Sequence, residues 1–309
     1  MLALLYTPRE QTLIEFVTFM KILAESGATK TDWRSIASDG TVYSMRSTGM
    51  NVATADIAFV EKTLREAIPK LNPSGETVDR IHFYAAGMIP TSGNPVPEGA
   101  VRLHGEFMKA FPEAKVAYAS DLLAAARALF GRKPGIAVIL GTGSNSCEYD
   151  GKRIVKNVRS GGFILGDEGG GASLGRQFVS DFLKGIVPEP VASEFAAKYD
   201  MEYFHVVKNV YRGPSPASYL GSFAPFIMEN YDSCLYVKCL VDNNFRALFE
   251  RCLLQYDIEG KPVGVVGGFG FAHKEILLRV AQEYGMGISD IVSSPIEGLV
   301  KYYIDENEN

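Results

Sequence analysis

The chain has 309 residues, enough for two units each with its own core. Its 31 Lys and Arg stand against 36 Asp and Glu, a formal charge of −5, and no long basic run interrupts that balance. Nucleic acid and anionic membranes are thereby excluded as main partners, and with no stretch near the roughly 18 apolar residues of a membrane span a cytoplasmic location is expected.

Residues 1–19 carry Glu10 and Glu15 and lack both a basic leading region and a small-residue cleavage site, so they do not read as a signal peptide. They run directly into the apolar run Met20-Lys21-Ile22-Leu23, and Met20 is read as the natural start, with 1–19 an extension that is not native. A short apolar strand follows over 22–25, then a Gly/Thr turn over 26–31 and a return strand over 32–37. Asp39-Gly40 is a hairpin turn signal leading to a third strand over 42–46. Ile57, Val60, Leu64 and Ile68 recur at helical spacing. Further strands are expected over 81–85 and 115–119, with a helix over 101–111 between them.

The same order then repeats. A buried strand over 136–140 meets the turn Gly141-Thr142-Gly143-Ser144-Asn145, a return strand over 146–149, the turn Asp150-Gly151, and a third strand over 153–157. Two similar units in one chain point to a duplicated fold. Helices are expected over 122–130, 172–185, 235–256, 272–283 and 295–302, with a mixed stretch over 191–231 and a buried strand over 263–266. Hairpins mixed with crossover helices give an α/β class with mixed rather than purely parallel sheets.

The two glycine turns share one chemical logic. Glycine lets the backbone approach a ligand closely, exposed N–H groups in such a turn make an anion-binding nest, and the Thr and Ser hydroxyls add donors. Lys30 adds a charge to the first turn. Familiar alternatives fail: the GxxxxGK[ST] spacing is absent around Lys30, and Ser146 stands where the third glycine of a dinucleotide fingerprint belongs. A third cluster, Gly267-Gly268-Phe269-Gly270, separates a buried strand from a helix; it is a plain turn or a place for a nucleotide.

Asp121 opens a helix after a strand. It is either part of a helix N-cap or a carboxylate able to accept a proton from a substrate hydroxyl. Asp167 and Glu168 are adjacent acids amid glycines, either solvated turn acids or partners for sugar hydroxyls. Glu25 ends the first strand beside the first turn, where it could hold Mg²⁺ through water. Cys147, Cys234, Cys239 and Cys252 form no CxxC pair and read as small buried hydrophobes; the four histidines lack metal-ligand spacing.

Taken together, the motifs Ser26-Gly27-Ala28-Thr29-Lys30-Thr31-Asp32-Trp33, Tyr84-Ala85-Ala86-Gly87, Ser120-Asp121-Leu122-Leu123-Ala124-Ala125, Leu140-Gly141-Thr142-Gly143-Ser144-Asn145-Ser146, Leu165-Gly166-Asp167-Glu168-Gly169 and Ser294-Pro295-Ile296-Glu297-Gly298-Leu299 resemble the BadF/BadG/BcrA/BcrD-type ATPase family. Within it they are most similar to the N-acetylglucosamine kinase-like branch of the sugar kinase and actin superfamily. The resemblance covers residues 20–303. It implies two RNase H-like, actin-like ATPase lobes with a central cleft, the N-terminal lobe from 20–119 plus 295–309 and the C-terminal lobe from 120–294. It implies ATP held by Gly27, Thr29, Lys30, Thr31, Thr142, Gly143, Ser144, Gly267 and Gly268, with Asp121 as catalytic base, Asn51, Gly162 and Asp167 on the sugar, and Mg²⁺ as cofactor. The expected activity is an ATP-dependent sugar kinase, most specifically for N-acetylglucosamine at O6, with glucosamine, N-acetylmuramic acid and other hexoses as alternatives and a homodimer as the common state of similar kinases. There are two departures. Glu25 replaces the family's usual Asp before the first turn, and the segment before Gly166 is shorter than in animal N-acetylglucosamine kinases and lacks their Trp. An ATP-driven electron activator on the same scaffold would need cysteines for an iron–sulfur cluster, and Cys147 has no close partner. A non-catalytic sugar sensor is the remaining rival, favoured only by Glu25.

Overall fold

The computed structural model describes residues 19–27, 30–50, 56–88 and 98–304. The extension expected over 1–19 lies outside them except for Phe19, which begins the first strand. Strands β1 (Phe19–Ser26), β2 (Lys30–Ile36) and β3 (Val42–Thr48) form an antiparallel meander. Helix α1 (Ile57–Leu71) crosses to β4 (Thr77–Ala85), parallel to β1, and α2 (Glu98–Ala110) crosses to β5 (Lys115–Ser120), parallel to β4. Helix α3 (Asp121–Phe130) follows.

The second unit retraces this path. Strands β6 (Gly135–Leu140), β7 (Ser144–Tyr149) and β8 (Ile154–Lys156) form the meander. Its first crossover is long, running through α4 (Gly162–Leu165), α5 (Gly171–Leu183), α6 (Val191–Lys198), α7 (Tyr203–Arg212), α8 (Pro216–Gly221), α9 (Ala224–Glu229) and α10 (Leu235–Arg251). Strand β9 (Val263–Val266) then pairs parallel with β6. Helices α11 (Gly268–Ala272) and α12 (Lys274–Glu283) lead to β10 (Ile288–Val292), parallel to β9, and α13 (Ile296–Ile304) follows. The sheet orders are β3-β2-β1-β4-β5 and β10-β9-β6-β7-β8. Counted outward from β1 and from β6 they are the same topology, so the expected duplication and the mixed α/β class are both present.

The packing follows from the sequence pattern. The central strands are apolar along most of their length, with Ile22, Leu23 and Ala24 in β1 and Ile136, Ala137 and Val138 in β6 all buried, as strands covered on both faces must be. Trp33, Phe83 and Phe107 pack edge to face or tilted under α2. Helix α3 packs on β6, β7 and β9 and also reaches β4 and β5, while α13 packs on α3, β1 and β2. A polar knot fixes that junction: Tyr84 and Tyr303 share a hydroxyl hydrogen bond of 2.6 Å, and Arg127 Nη1 donates to the Tyr84 hydroxyl at 2.7 Å. His82 stacks on Tyr303 at 4.1 Å, and burial drives its pKa down to about 4.

Three elements differ from the sequence expectation. Strand β10 was not expected, because Ser289 and Asp290 are exposed on an edge strand and erase the apolar signal. The helix expected over 272–283 is broken at His273, which caps α11 and α12. The helix expected over 235–256 stops at Arg251 and continues as a 3₁₀ turn over Leu253–Gln255. Among the described residues no helix is long and apolar enough to cross a membrane.

Candidate active site

Parallel registers assemble the site. Ser26 stands beside Ala85, and Ala85 beside Ser120, so β1, β4 and β5 end in line. Gly27, Ala86 and Asp121 therefore leave the first sheet at one edge. In the second sheet Ile139 pairs with Val266, which brings the turn after Leu140 and the Gly267-Gly268 pair to one edge. Ser294, just after β10, donates to Asp32 of β2 at 3.4 Å, so the second unit's end meets the first hairpin. Asp121 lies where both units feel it: its charge contributes to raising the pKa of Glu25 in β1 and of Cys147 in β7.

The first turn is built from within. Gly27 N–H donates to Lys30 O at 2.9 Å, and the buried hydroxyls of Ser26 and Thr31 share a 2.7 Å hydrogen bond. Thr31 also donates to Thr48 O, so its hydroxyl shapes the hairpin rather than pointing outward. Lys30 Nζ is held 2.8 Å from Asp32 Oδ2, and Arg46 Nε lies 2.8 Å from Asp32 Oδ1. Burial works against the Asp32 carboxylate, but the hydrogen bonds from Lys30 and Arg46 outweigh it and hold its pKa below the usual range. Thr29 of this turn and Asn51 lie outside the described residues.

The second turn is clasped by the segment that follows it in space. Gly141 N–H donates to Gly143 O, Gly171 N–H to Gly141 O and Ala172 N–H to Thr142 O, all between 2.8 and 2.9 Å. Ser144 N–H donates to Asp167 Oδ1 at 3.3 Å, and a Cβ on Gly143 would stand 2.7 Å from Asp167 Oδ2, so a side chain there would displace the Asp167 carboxylate. Asp167 has a φ of 55° and is nearly buried; burial raises its carboxylate pKa against the pull of the Ser144 N–H. Its carboxylate thus meets the second turn directly. Glu168 turns the other way and pairs with Arg251 Nε at 2.8 Å. Gly162 opens α4 with a φ of 72° beside Gly161, and Gly267 has a φ of 137° at the start of α11.

Sequence reasoning did not single out Asp32 as part of this site. The signal was present: folding the hairpin about its turn sets Glu25 opposite Asp32. That leaves Glu25, Asp32 and Asp121 close enough for burial first, then the Asp121 and Asp32 charges, to push the Glu25 pKa up to about 7. Helix α3 is capped by Ser120, whose hydroxyl accepts from Leu123 N–H at 3.2 Å, which leaves the Asp121 carboxylate free of the capping role. Burial raises the Asp121 pKa, against the N–H groups of Leu122 and Asp121. Lys30 and Arg46 answer the Asp32 charge, and a hard divalent cation would supply countercharge to Glu25 and Asp121. Among the described residues no group of three or more His, Cys, Asp or Glu could hold a metal ion alone. Mg²⁺ that keeps most of its water shell asks few carboxylates of the protein, and Glu25 could supply one through water.

The raised Glu25 pKa has a stability consequence. Between its ordinary 4.5 and about 7 the folded chain keeps a proton that the unfolded chain releases, so folding stability falls as pH rises through that window. Glu25→Gln is expected to lose this slope. In metal-free melting curves the variant should match the parent near about pH 5 and exceed it near about pH 8. Parallel curves for the two proteins would contradict the burial of this carboxylate.

Cys147 and Cys252 are buried as expected, whereas Cys234 is half-buried and Cys239 exposed; the Cys147 thiol is pushed up to about 12, chiefly by burial. Comparison with known proteins then places the whole chain. No family model matches it, and no curated protein matches its sequence. Among solved structures it is similar to a Porphyromonas gingivalis protein provisionally assigned as an N-acetylglucosamine kinase, with 36% identity, TM-score 0.84, and 93% of this chain and 99% of that one covered. A Chromobacterium violaceum protein with the same provisional assignment is 20% identical, with TM-score 0.68 and 92% and 98% covered. A glucokinase of the ROK family from Streptomyces griseus, solved with glucose and AMPPNP, is 16% identical, with TM-score 0.55 and 92% and 97% covered. The last two carry the fold alone, which is that of the actin-like ATPases.

Proposed function

Because the chain belongs to the same family as the Porphyromonas gingivalis protein, a family of sugar kinases with the actin-like ATPase fold, we propose that it transfers the γ-phosphoryl group of ATP to a hydroxyl of an amino sugar, most specifically O6 of N-acetylglucosamine. The observation that carries this reading is the convergence of Gly27, Asp121, Gly143 and Gly267 on sheet edges joined through the Asp32–Ser294 contact. We assign the chain to the BadF/BadG/BcrA/BcrD-type branch on the motifs quoted above, with the lobes dividing at 119/120 and 294/295.

In this reading the N–H groups of the two turns hold the phosphate tail, Gly267 and Gly268 lie against the adenosine, and Asp121 accepts the proton of the attacking hydroxyl. Gly162, Asn51 and Asp167 orient the sugar, with Asp167 also touching the second turn. Glu25 holds Mg²⁺ through water; when bound, the ion neutralises charge on the phosphates. Closing the two units on the substrates excludes water and limits idle hydrolysis of ATP.

The experiment is an ADP-release assay over a panel of sugars. N-acetylglucosamine is expected to stimulate release at least about tenfold over ATP alone, the scale of a productive substrate against idle hydrolysis. If glucosamine, N-acetylmuramic acid or another hexose stimulates and N-acetylglucosamine does not, the acceptor changes and the kinase stands. No stimulation by any sugar would leave only a sensor.

A further inference from the structure

The second unit holds a cavity of about 460 Å³ whose lining includes none of the residues assigned above to phosphoryl transfer. Its volume lies within the range of small-molecule sites. Ile164 and Leu165 of α4 give it an apolar wall, and Glu168, Arg176, Gln177 and Arg251 give it a polar one. The charges are unequal. Arg251 is paired with Glu168 at 2.8 Å, but among the described residues no carboxylate pairs with Arg176. Gln177 spends its Nε2 on the carbonyl and hydroxyl oxygens of Ser173, which leaves its side-chain carbonyl as an acceptor. Ile164 and Leu165 are 66% and 78% exposed, an apolar surface with nothing of this unit over it.

This lining selects a ligand class. A neutral sugar would leave the Arg176 charge unanswered. Inorganic phosphate would answer it and leave the apolar wall and both acceptors idle. A wholly apolar ligand would strand four polar groups. We propose that the cavity is a second ligand site that takes a phosphorylated sugar. Its phosphate sits on Arg176 with help from Arg251, its hydroxyls donate to Glu168 and Gln177, and its ring lies on Ile164 and Leu165.

The site is wired to the cleft by the shortest possible link. Glu168 lines the cavity and its neighbour Asp167 meets the second turn on the opposite side of the chain. A ligand that draws on Glu168 or Arg251 bears on the backbone that carries Asp167. The coupling is reciprocal: nucleotide in the cleft alters affinity for the phosphorylated sugar by the same factor.

The test is calorimetric titration of N-acetylglucosamine 6-phosphate into the full chain with the cleft filled by saturating AMPPNP and N-acetylglucosamine. One binding event per chain is expected to remain. Arg176→Ala should weaken it about tenfold or more, the scale of a charge-assisted hydrogen bond. Arg176→Lys should fall between the two. The Arg176 side chain is exposed, so the variants are expected to melt with the parent. No heat with the cleft filled, or equal affinity in Arg176→Ala, would overturn the proposal. The kinase reading supplies only the choice of probe and of cleft ligands. If AMPPNP itself does not bind, that reading falls, and the same titration into ligand-free chain still decides this site by the Arg176→Ala difference.

Discussion

Asp121→Asn lowers turnover by roughly a hundredfold or more, the usual yield of a positioned general base, while ATP affinity stays within about twofold of the parent. The substitution is nearly isosteric, and its side-chain oxygen still accepts the 2.8 Å hydrogen bond that Leu122 N–H now gives Asp121. Helix α3 keeps its cap, because the capping oxygen belongs to Ser120. What is lost is the ability to take up a proton at the head of a helix between the two sheets. A coupled ADP-release assay measures the first quantity and calorimetric titration with AMPPNP the second. Near-normal turnover with sugar would remove Asp121 from the chemistry, and loss of nucleotide binding would make it a structural residue.

Gly267→Ala is expected to be strongly damaging to the site. Gly267 has a φ of 137°, a conformation that side chains rarely adopt, and its Cβ would stand 2.6 Å from the Leu140 carbonyl carbon. The Leu140 carbonyl carbon and oxygen that must give way are backbone, and Leu140 is the residue from which the second turn springs. Strain and overpacking together cost about 3 kcal/mol or more, which lowers the apparent melting midpoint by roughly 6–12 °C. AMPPNP affinity falls with it, since β6 and its turn must shift. Gly268→Ala is the control: a Cβ there meets nothing within 4 Å, so its stability should stay within about 0.5 kcal/mol of the parent. Equal melting of the two variants would mean that Gly267 and Leu140 are not in this close contact.

Much of this was legible in the amino-acid order because local signals and tertiary demands agree there. The run Ile136–Leu140 is apolar without alternation and ends in Gly-Thr-Gly, so strand, burial and turn were all readable at once. The same holds for β1 and its turn, and the similarity of the two runs exposed the duplication. Strand β10 escaped because an edge strand can carry Ser289 and Asp290 toward solvent. Asp32 escaped for a different reason: it looks like an ordinary polar strand residue until the hairpin sets it beside Glu25 and under Lys30 and Arg46. Glu168 and Asp167 look equivalent in the sequence, and only the left-handed backbone at Asp167 sends their side chains to different places. The cavity beside Arg176 depends on helices α4, α5 and α10 meeting, which no local pattern encodes.

The hydroxyl pair of Tyr84 and Tyr303 joins residues 219 positions apart. During synthesis the first sheet is therefore complete in strands long before its covering helix exists. Until residue 304 has emerged, Leu23, Ile36 and Tyr84 present a bare apolar surface on which α13 will later sit. For as long as the ribosome takes to reach α13, the nascent N-terminal half carries that apolar surface without the helix that packs on it.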